Sequence, residues 1–340
     1  MLKVAVFGAT GYTGRELVEI LSRHPYARPY YLTSESFAGQ RYDQVYPQFR
    51  SRVELPLGKV DEPGLLEECD FIFCAIPHGL SMDYVPRLLS TGKKVVDLSS
   101  DFRLKDNALY PVWYGYEHQH AQWLADSVYG LPEYYRDRIS TARLVANPGC
   151  YPTSVLLPLK PLLAEGLIDP GNIIVDAKSG VSGAGRTPKA PFHFPECTEN
   201  FKAYKVAEHQ HTPEIEQELG LLTGEPVTIT FTPHLVPMVR GILSTIYLRT
   251  TGITDEEKIW EIYEKHFQNE PFIRFYRRPE LPETKFVSGS NFCDISFRID
   301  KRSGMLIVVS AIDNLVKGAA GQAVQNMNVM QGWPEESGLK

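Results

Sequence analysis

The sequence predicts an α/β Rossmann-type nucleotide-binding domain followed by an α+β domain, on three observations. Short apolar runs alternate with helical patterns over the first part of the chain, which argues for a parallel, doubly wound sheet. A glycine-rich turn joins the first of these runs to the first helix. After Cys150 the runs lengthen and take on a period-2 character, as antiparallel strands do. A length of 340 residues suits two domains at about 150 residues each.

The elements follow in order. Residues 2–7 are apolar and end in Gly8, a buried-strand signal. Residues 12–24 place Leu17, Val18, Ile20 and Leu21 at helical spacing and stop before Pro25. Strands are expected at 28–33, 70–76 and 94–98, with helices at about 61–68 and 79–90 between them. A helix is expected over 151–165, distorted by Pro158 and Pro161. Further strands follow at 171–177, 226–232, 240–249, 291–299 and 304–312. The segment Phe292–Ile299 reads as a half-exposed antiparallel strand. A final helix over 314–328, rich in Ala, Gly and Gln, suits close packing against the first domain. The expected domains are therefore 1–149 with 314–340, and 150–313.

Composition narrows the function. Hydrophobic content of 43% and charged content of 22% are ordinary for a globular protein, and no apolar run approaches a membrane span. The N-terminus lacks the marks of a signal peptide, so a cytoplasmic location is expected. A net charge of −6 without a basic cluster gives no support to nucleic-acid binding. Five cysteines, odd in number and scattered, do not form a disulfide framework. No Cys/His spacing matches a structural zinc site. Cys69 and Cys74 flank Phe71–Phe73 and read as core residues.

The turn Gly8-Ala9-Thr10-Gly11-Tyr12-Thr13-Gly14 lies between a strand and a helix, the context a dinucleotide fingerprint requires. Glycine lets the backbone approach a pyrophosphate whose charge the helix start then stabilises. Gly8, Thr10, Gly11, Tyr12, Thr13 and Gly14 are thus expected at the cofactor. The second strand ends at Thr33-Ser34-Glu35-Ser36, with Arg41 beyond. Ser34 and Ser36 could donate to a 2′-phosphate and favour NADP(H), while Glu35 is a contrary sign.

Asn147-Pro148-Gly149-Cys150-Tyr151-Pro152-Thr153 places a cysteine between a Pro-Gly turn and a helix start. That setting lowers a thiol pKa, and the thiolate is the nucleophile. A buried structural cysteine is the alternative. His209 and His211 precede Thr212, read as an N-cap, and Pro213, read as N1. Either could serve as acid/base, and spacing alone does not choose. Ser179–Arg186, with three glycines, two serines and Arg186, suits an anion loop or a flexible connection. Arg103 follows the 94–98 strand at the ligand edge of the sheet, placed for an anion or a structural ion pair. His78 follows the 70–76 strand at the same edge.

Together these residues resemble the N-acetyl-γ-glutamyl-phosphate reductases of arginine biosynthesis. The resemblance runs almost the whole length. It takes in Gly8–Gly14, Ser100–Arg103, Tyr129–Glu133, Asn147–Thr153, Ser179–Arg186, His209–Ile215, Pro233–Gly241 and Asp313–Gln322. It implies a Rossmann domain, then a glyceraldehyde-3-phosphate-dehydrogenase-like catalytic domain, with the last helix returning to the first domain. It implies NADPH, no metal, and a homodimer or homotetramer. The reaction implied is reduction of N-acetyl-γ-glutamyl phosphate to the 5-semialdehyde with release of inorganic phosphate, through a thioester. The resemblance places the nucleophile at Cys150 and the acid/base at His209. Ser182, Gly183 and Asn314 are placed at the cofactor, and Arg103, Asn147 and Arg186 at the substrate. Relatives acting on a carrier-protein-linked aminoadipyl or glutamyl phosphate share the nucleophile and cofactor motifs, and aspartate-semialdehyde dehydrogenase is a more distant alternative. Gly185-Arg186, Pro188 and Lys189 look more like the arginine-pathway form. A nicotinamide-binding sensor would need neither Cys150 nor His209, and a thiol hydrolase would leave the glycine turn unexplained.

Overall fold

The computed structural model describes residues 1–60, 66–252 and 255–340. The chain divides into two compact units: Met1–Pro148 with Ala319–Lys340, and Gly149–Gly318.

The first unit holds a seven-stranded sheet built from β1 (Leu2–Phe7), β2 (Ala27–Thr33), β3 (Leu57–Gly58), β4 (Phe71–Cys74), β5 (Lys94–Asp97), β6 (Val128–Tyr129) and β7 (Leu144–Ala146). Its order is β3-β2-β1-β4-β5-β7-β6, and every pairing is parallel. Val4 to Phe7 are fully buried, as a strand covered on both faces must be. Val4 and Val6 face one layer, with Leu17, Val18, Val324 and Met327. Ala5 and Phe7 face the other, with Val85, Leu88 and Tyr110.

Helix α1 (Tyr12–Leu21) ends earlier than the pattern suggested. Ser22 Oγ donates to the Glu19 carbonyl, and His24 Nδ1 accepts from the amides of Tyr26 and Ala27, turning the chain into β2. Helix α2 (Ser81–Ser90) fills the expected 79–90 segment. Of the helix expected over 61–68, residues 61–65 lie outside the described residues and 66–68 form a turn. A further helix, α3, spans Pro132–Thr141. The Tyr129–Glu133 motif has a packing reason. The Gly130 carbonyl accepts from Gln322 and Asn326, and a Cβ there would lie 2.5 Å from Asn326 Nδ2.

The second unit holds helix α4 (Cys150–Ala164), helix α5 (Thr212–Thr223), helix α6 (Glu256–Phe267) and a second sheet of seven strands. The strands are β8 (Ile168–Gly180), β9 (Lys202–Ala203), β10 (Ile229–Val236), β11 (Ile242–Thr250), β12 (Ile273–Phe275), β13 (Cys293–Asp300) and β14 (Met305–Ile312), in the order β12-β13-β14-β11-β8-β10-β9. The core pairings β13–β14–β11–β8 are antiparallel, whereas β10 joins β8 and β12 joins β13 in parallel, so the sheet is mixed.

Two expectations are corrected here. Helix α4 runs unbroken through Pro158 and Pro161. Pro158 has no N–H for the Ser154 carbonyl, and Ser310 Oγ donates to that carbonyl instead. β13 is not half-exposed: Asp294 and Ser296 are fully buried. Arg274 grips the Asp294 carboxylate with two hydrogen bonds and Ser296 Oγ donates to the Tyr276 carbonyl, so polar residues on the expected solvent face are covered and satisfied.

The last segment begins with a π-helical turn, Val316–Ala320, and continues as α7 (Gly321–Gln331). Ala323, Val324 and Met327 bury themselves in the first unit's core. Among the described residues no helix is long and apolar enough to cross a membrane.

Candidate active site

Cys150 is the first residue of α4, so its side chain stands at the positive end of the helix dipole. It is half-buried, unlike Cys69, Cys74 and Cys293. Burial pushes the Cys69 thiol up to about 11 and the Cys74 thiol well above its ordinary value, which makes both inert core residues. Two glycines fit closely around Cys150. A Cβ on Gly318 would lie 2.7 Å from Cys150 Cβ, and one on Gly149 would lie 2.5 Å from Nε2 of His211. The π turn brings Gly318 there, its N–H donating to the Asp313 carbonyl five residues back.

Glu214 is the group that the sequence reading missed. Its carboxylate is fully buried in the first turn of α5 and accepts from the Gly149 N–H at 2.8 Å. The signal was an acid two residues after Thr212, in the first turn of a helix, where a solvated capping role is the ordinary assumption. Lys160 and Glu218, each 1% exposed, form a buried ion pair between α4 and α5, which ties the nucleophile's helix to the helix carrying Glu214.

Helix α5 starts at Thr212, one residue earlier than expected, so His211 occupies the cap position. His209 is not a solvent-exposed loop histidine. The rings of Tyr151, Tyr204 and Phe231 stand edge-on around it, with centroids 5.4, 5.5 and 5.4 Å away. This apolar cage, with Lys205 a smaller influence, depresses its pKa to about 3, so the ring is neutral at neutral pH. Nδ1 of His209 accepts from the His211 N–H at 3.1 Å, and Nε2 lies 3.4 Å from the Tyr204 hydroxyl.

The remaining second-unit residues form a supporting lattice. Asn314 accepts from the Gly241 N–H through Oδ1 and donates to Ser182 Oγ through Nδ2. Gly180 packs on the Met238–Arg240 backbone, where a Cβ would lie 2.8 Å from Arg240 N. The Ser179–Arg186 loop is therefore docked at its start, while Gly183 and Arg186 are exposed at its end.

In the first unit the glycine turn has the form a pyrophosphate needs. Gly8 has φ +77°, and a Cβ there would lie 2.3 Å from the Ala75 carbonyl oxygen. A Cβ on Gly14 would lie 2.2 Å from the Gly8 carbonyl oxygen. At Gly11 the nearest atom would be 3.5 Å away, so no protein atom demands that glycine and its bareness leaves room for a ligand. Tyr42 and Tyr46 donate to the carbonyls of Ala9 and Thr10, and Thr10 and Ser34 share a buried hydroxyl hydrogen bond of 2.7 Å. Gly11 caps α1 without a side-chain hydrogen bond. These residues fit a dinucleotide. Ser36 is exposed beyond β2, and Arg41 is gripped by Asp43 and Glu54.

Two sequence candidates turn inward. Arg103 is 5% exposed, and its guanidinium donates to the carbonyls of Asn147 and Leu98. Asn147 is 1% exposed: its Nδ2 donates to the Ala319 carbonyl and its Oδ1 accepts from Asn326. Both are occupied as keepers of the loop that leads to Cys150. His78 is exposed, its Nδ1 accepting from the Ser100 N–H. Asp101 accepts from the amides of Gly79 and Met82 and from the Tyr116 hydroxyl, and so holds the start of α2.

Asp97, at the end of β5, is fully buried, and burial first and Asp101 second push its pKa up to about 7. The unfolded carboxyl titrates near its ordinary value of about 3.9. Between about pH 4 and 7 the folded chain therefore holds a proton that the unfolded chain has lost, and stability falls as pH rises through that window. Asp97→Asn should abolish this slope. In urea unfolding the variant should gain about 1–3 kcal/mol on the parent between pH 5 and pH 8.

Residues 3–142 match the family of semialdehyde dehydrogenase NAD binding domains, and residues 150–314 match the semialdehyde dehydrogenase dimerisation domain. Fold and site thus define a two-domain semialdehyde-dehydrogenase-type oxidoreductase with an NAD(P)-binding first domain. The aspartate semialdehyde dehydrogenase II of Vibrio cholerae superposes with a TM-score of 0.76 at 19% identity, covering 98% of both chains. That of Candida albicans, solved with NADP, superposes at 0.73 and 17% identity, over 97% of this chain and 99% of its own. Among curated relatives, the N-acetyl-γ-glutamyl-phosphate reductase of Desulforudis audaxviator is 52% identical over 339 residues, covering 100% of this chain and 98% of its own. That of Pelotomaculum thermopropionicum is 53% identical over 338 residues, covering 99% and 97%. The chain belongs to the N-acetyl-γ-glutamyl-phosphate reductase family.

Proposed function

We propose that the protein reduces N-acetyl-γ-glutamyl phosphate with NADPH to N-acetylglutamate 5-semialdehyde, releasing inorganic phosphate, through a thioester on Cys150. The observation that carries the reading is a half-buried thiol on the first residue of α4, in a chain about half identical to named reductases over its whole length. A carboxylate does not accept hydride, and an acyl phosphate is too easily hydrolysed to wait in water. A thiolate solves both problems by displacing phosphate and holding the acyl group as a thioester.

Cys150 sulfur attacks the acyl carbon, the carbon–oxygen bond to phosphate breaks, and phosphate leaves with that electron pair. The helix start favours the thiolate over the thiol. Glu214 fixes the Gly149 N–H and so sets the angle at which the loop delivers Cys150. Gly8, Thr10, Gly11, Tyr12, Thr13 and Gly14, with Ser34 and Ser36, would hold the dinucleotide on the first unit; Ser182, Gly183 and Asn314 are the cofactor residues proposed on the second. NADPH, when bound, supplies the hydride that reduces the acyl group. The resulting hemithioacetal expels Cys150 as thiolate and frees the aldehyde, with His209 beside the developing oxyanion. Arg186, exposed at the end of its loop, is the arginine best placed to meet a substrate anion. The protein is proposed to act as a homodimer or homotetramer, in line with the dimerisation domain it matches.

The reverse reaction tests the reading. Semialdehyde, NADP and phosphate should give absorbance growth near the usual NADPH maximum, with turnover strictly dependent on phosphate. N-acetylglutamate semialdehyde should be the substrate, and a carrier-protein-linked semialdehyde should not turn over. Turnover without phosphate, or preference for the carrier-linked compound, would overturn the assignment.

A further inference from the structure

We propose that Tyr204 is a positioning residue for His209: its hydroxyl accepts the Nε2 hydrogen and locks the imidazole in the Nε2–H tautomer, as a donor rather than a base. The inference rests on the reaction proposed above, which it deepens.

A hydrogen-bond chain runs through the site with fixed polarity at both ends. At one end the His211 backbone N–H, which can only donate, meets His209 Nδ1 at 3.1 Å. At the other end the His234 carbonyl, which can only accept, takes the Tyr151 hydroxyl hydrogen at 3.3 Å. Between them, His209 Nε2 lies 3.4 Å from the Tyr204 oxygen, and the Tyr204 hydroxyl donates to the Tyr151 oxygen at 3.3 Å. Each hydrogen then has one place. Nδ1 of His209 carries the lone pair, so its single proton sits on Nε2 and points at Tyr204. Tyr204 passes its own hydrogen to Tyr151, and Tyr151 passes its hydrogen to the carbonyl.

The surroundings hold this arrangement in place. Burial raises the pKa of both tyrosines, so neither ionises near neutral pH. Lys205 and Ala207 both adopt left-handed backbone angles, φ +46° and +61°, and fold the chain so that Tyr204 returns over His209. Residues without glycine's freedom occupy such angles only where the surroundings compel them.

A neutral imidazole presenting Nε2–H has no lone pair left to take the Cys150 proton. It suits the electrophilic part instead, by turning its one hydrogen from the Tyr204 oxygen to the oxygen that becomes negative when the thiolate attacks and again when hydride arrives. The helix start lowers the thiol pKa, and the Cys150 proton passes to an acceptor other than His209.

Tyr204→Phe removes the acceptor and keeps the ring that packs on His209. Nitrogen NMR of ring-labelled histidine, recorded on the substrate-free protein at neutral pH, should show His209 as the single Nε2–H tautomer in the parent and a tautomer mixture in the variant. The variant's kcat should fall about tenfold with KM for both substrates within about twofold, because a donor that acts on the oxyanion serves the transition state. Tyr151→Phe, which leaves the Tyr204 acceptor in place, should retain the parent's His209 signal. An Nδ1–H tautomer in the parent, an unchanged His209 signal in Tyr204→Phe, or a changed signal with undiminished kcat would each overturn the proposal. The spectrum is independent of turnover, so a parent protein inactive on the semialdehyde would fail the proposed function and leave the tautomer result standing.

Discussion

Replacing Cys150 with serine should reduce the phosphate-dependent reaction by about a thousandfold or more while leaving the fold intact. Serine is smaller than cysteine, so the close contact that Gly318 makes with Cys150 Cβ is kept without strain. The substitution removes the thiolate, for which an alkoxide of much higher pKa is no substitute at neutral pH. The first turn of α4, the Glu214–Gly149 hydrogen bond and the Lys160–Glu218 pair are untouched, so the melting temperature should stay within a few degrees. NADP affinity should also be retained, because the glycine turn is unaltered. The result is read as kcat/KM in the phosphate-dependent assay beside a thermal melt and a cofactor titration. Activity within tenfold of the parent would remove Cys150 from the chemistry.

Gly14→Ala should weaken NADP binding by about a hundredfold or more and destabilise the chain by about 2–3 kcal/mol. The new Cβ would stand 2.2 Å from the Gly8 carbonyl oxygen and 2.8 Å from Ala9 Cα, and both atoms are backbone, so no side chain can swing aside. The helix must move away from the turn, and the pyrophosphate loses the N-terminus that faces it. Gly11→Ala is the informative partner, since its Cβ meets nothing nearer than 3.5 Å. Stability should hold there while affinity falls, because the added methyl occupies the space left for the ligand. Urea unfolding and calorimetric titration with NADP check both variants. Equal destabilisation by the two would show that Gly11 is a packing glycine.

What was legible in the sequence was local. The run Leu2–Phe7, the glycine turn and α1 announce one another within about twenty residues, because strand, turn and helix start each have short-range signatures. Cys150 was legible for the same reason: Pro148, Gly149 and Pro152 mark a helix start without reference to anything distant. The residues read differently in the structure depend on partners far along the chain. Arg103, by its place after β5, read as an anion contact or a structural ion pair, and only the fold shows the Asn147 carbonyl 44 positions away taking its Nε–H. Asn147 is satisfied by Asn326 and Ala319, which no spacing rule connects to it. Pro158 was expected to distort α4, and the serine that relieves the helix comes from β14. His209 belongs to the same group. Its neutrality comes from Tyr151, Tyr204 and Phe231, residues on three separate segments that meet only when the second sheet forms. Glu214 was passed over because a helix-start acid is ordinarily a surface feature, and its burial is a tertiary fact.

The most direct test of the thioester is a rapid-mixing experiment with N-acetylglutamate semialdehyde and NADP in the absence of phosphate. A burst of NADPH equal to one equivalent per Cys150 is expected, then little further turnover. Mass spectrometry of the quenched protein should find an N-acetylglutamyl group on the peptide carrying Cys150, and phosphate added later should release it and start steady turnover. Steady NADPH production without a burst, or a burst with Cys150 unmodified, would rule out a thioester on Cys150.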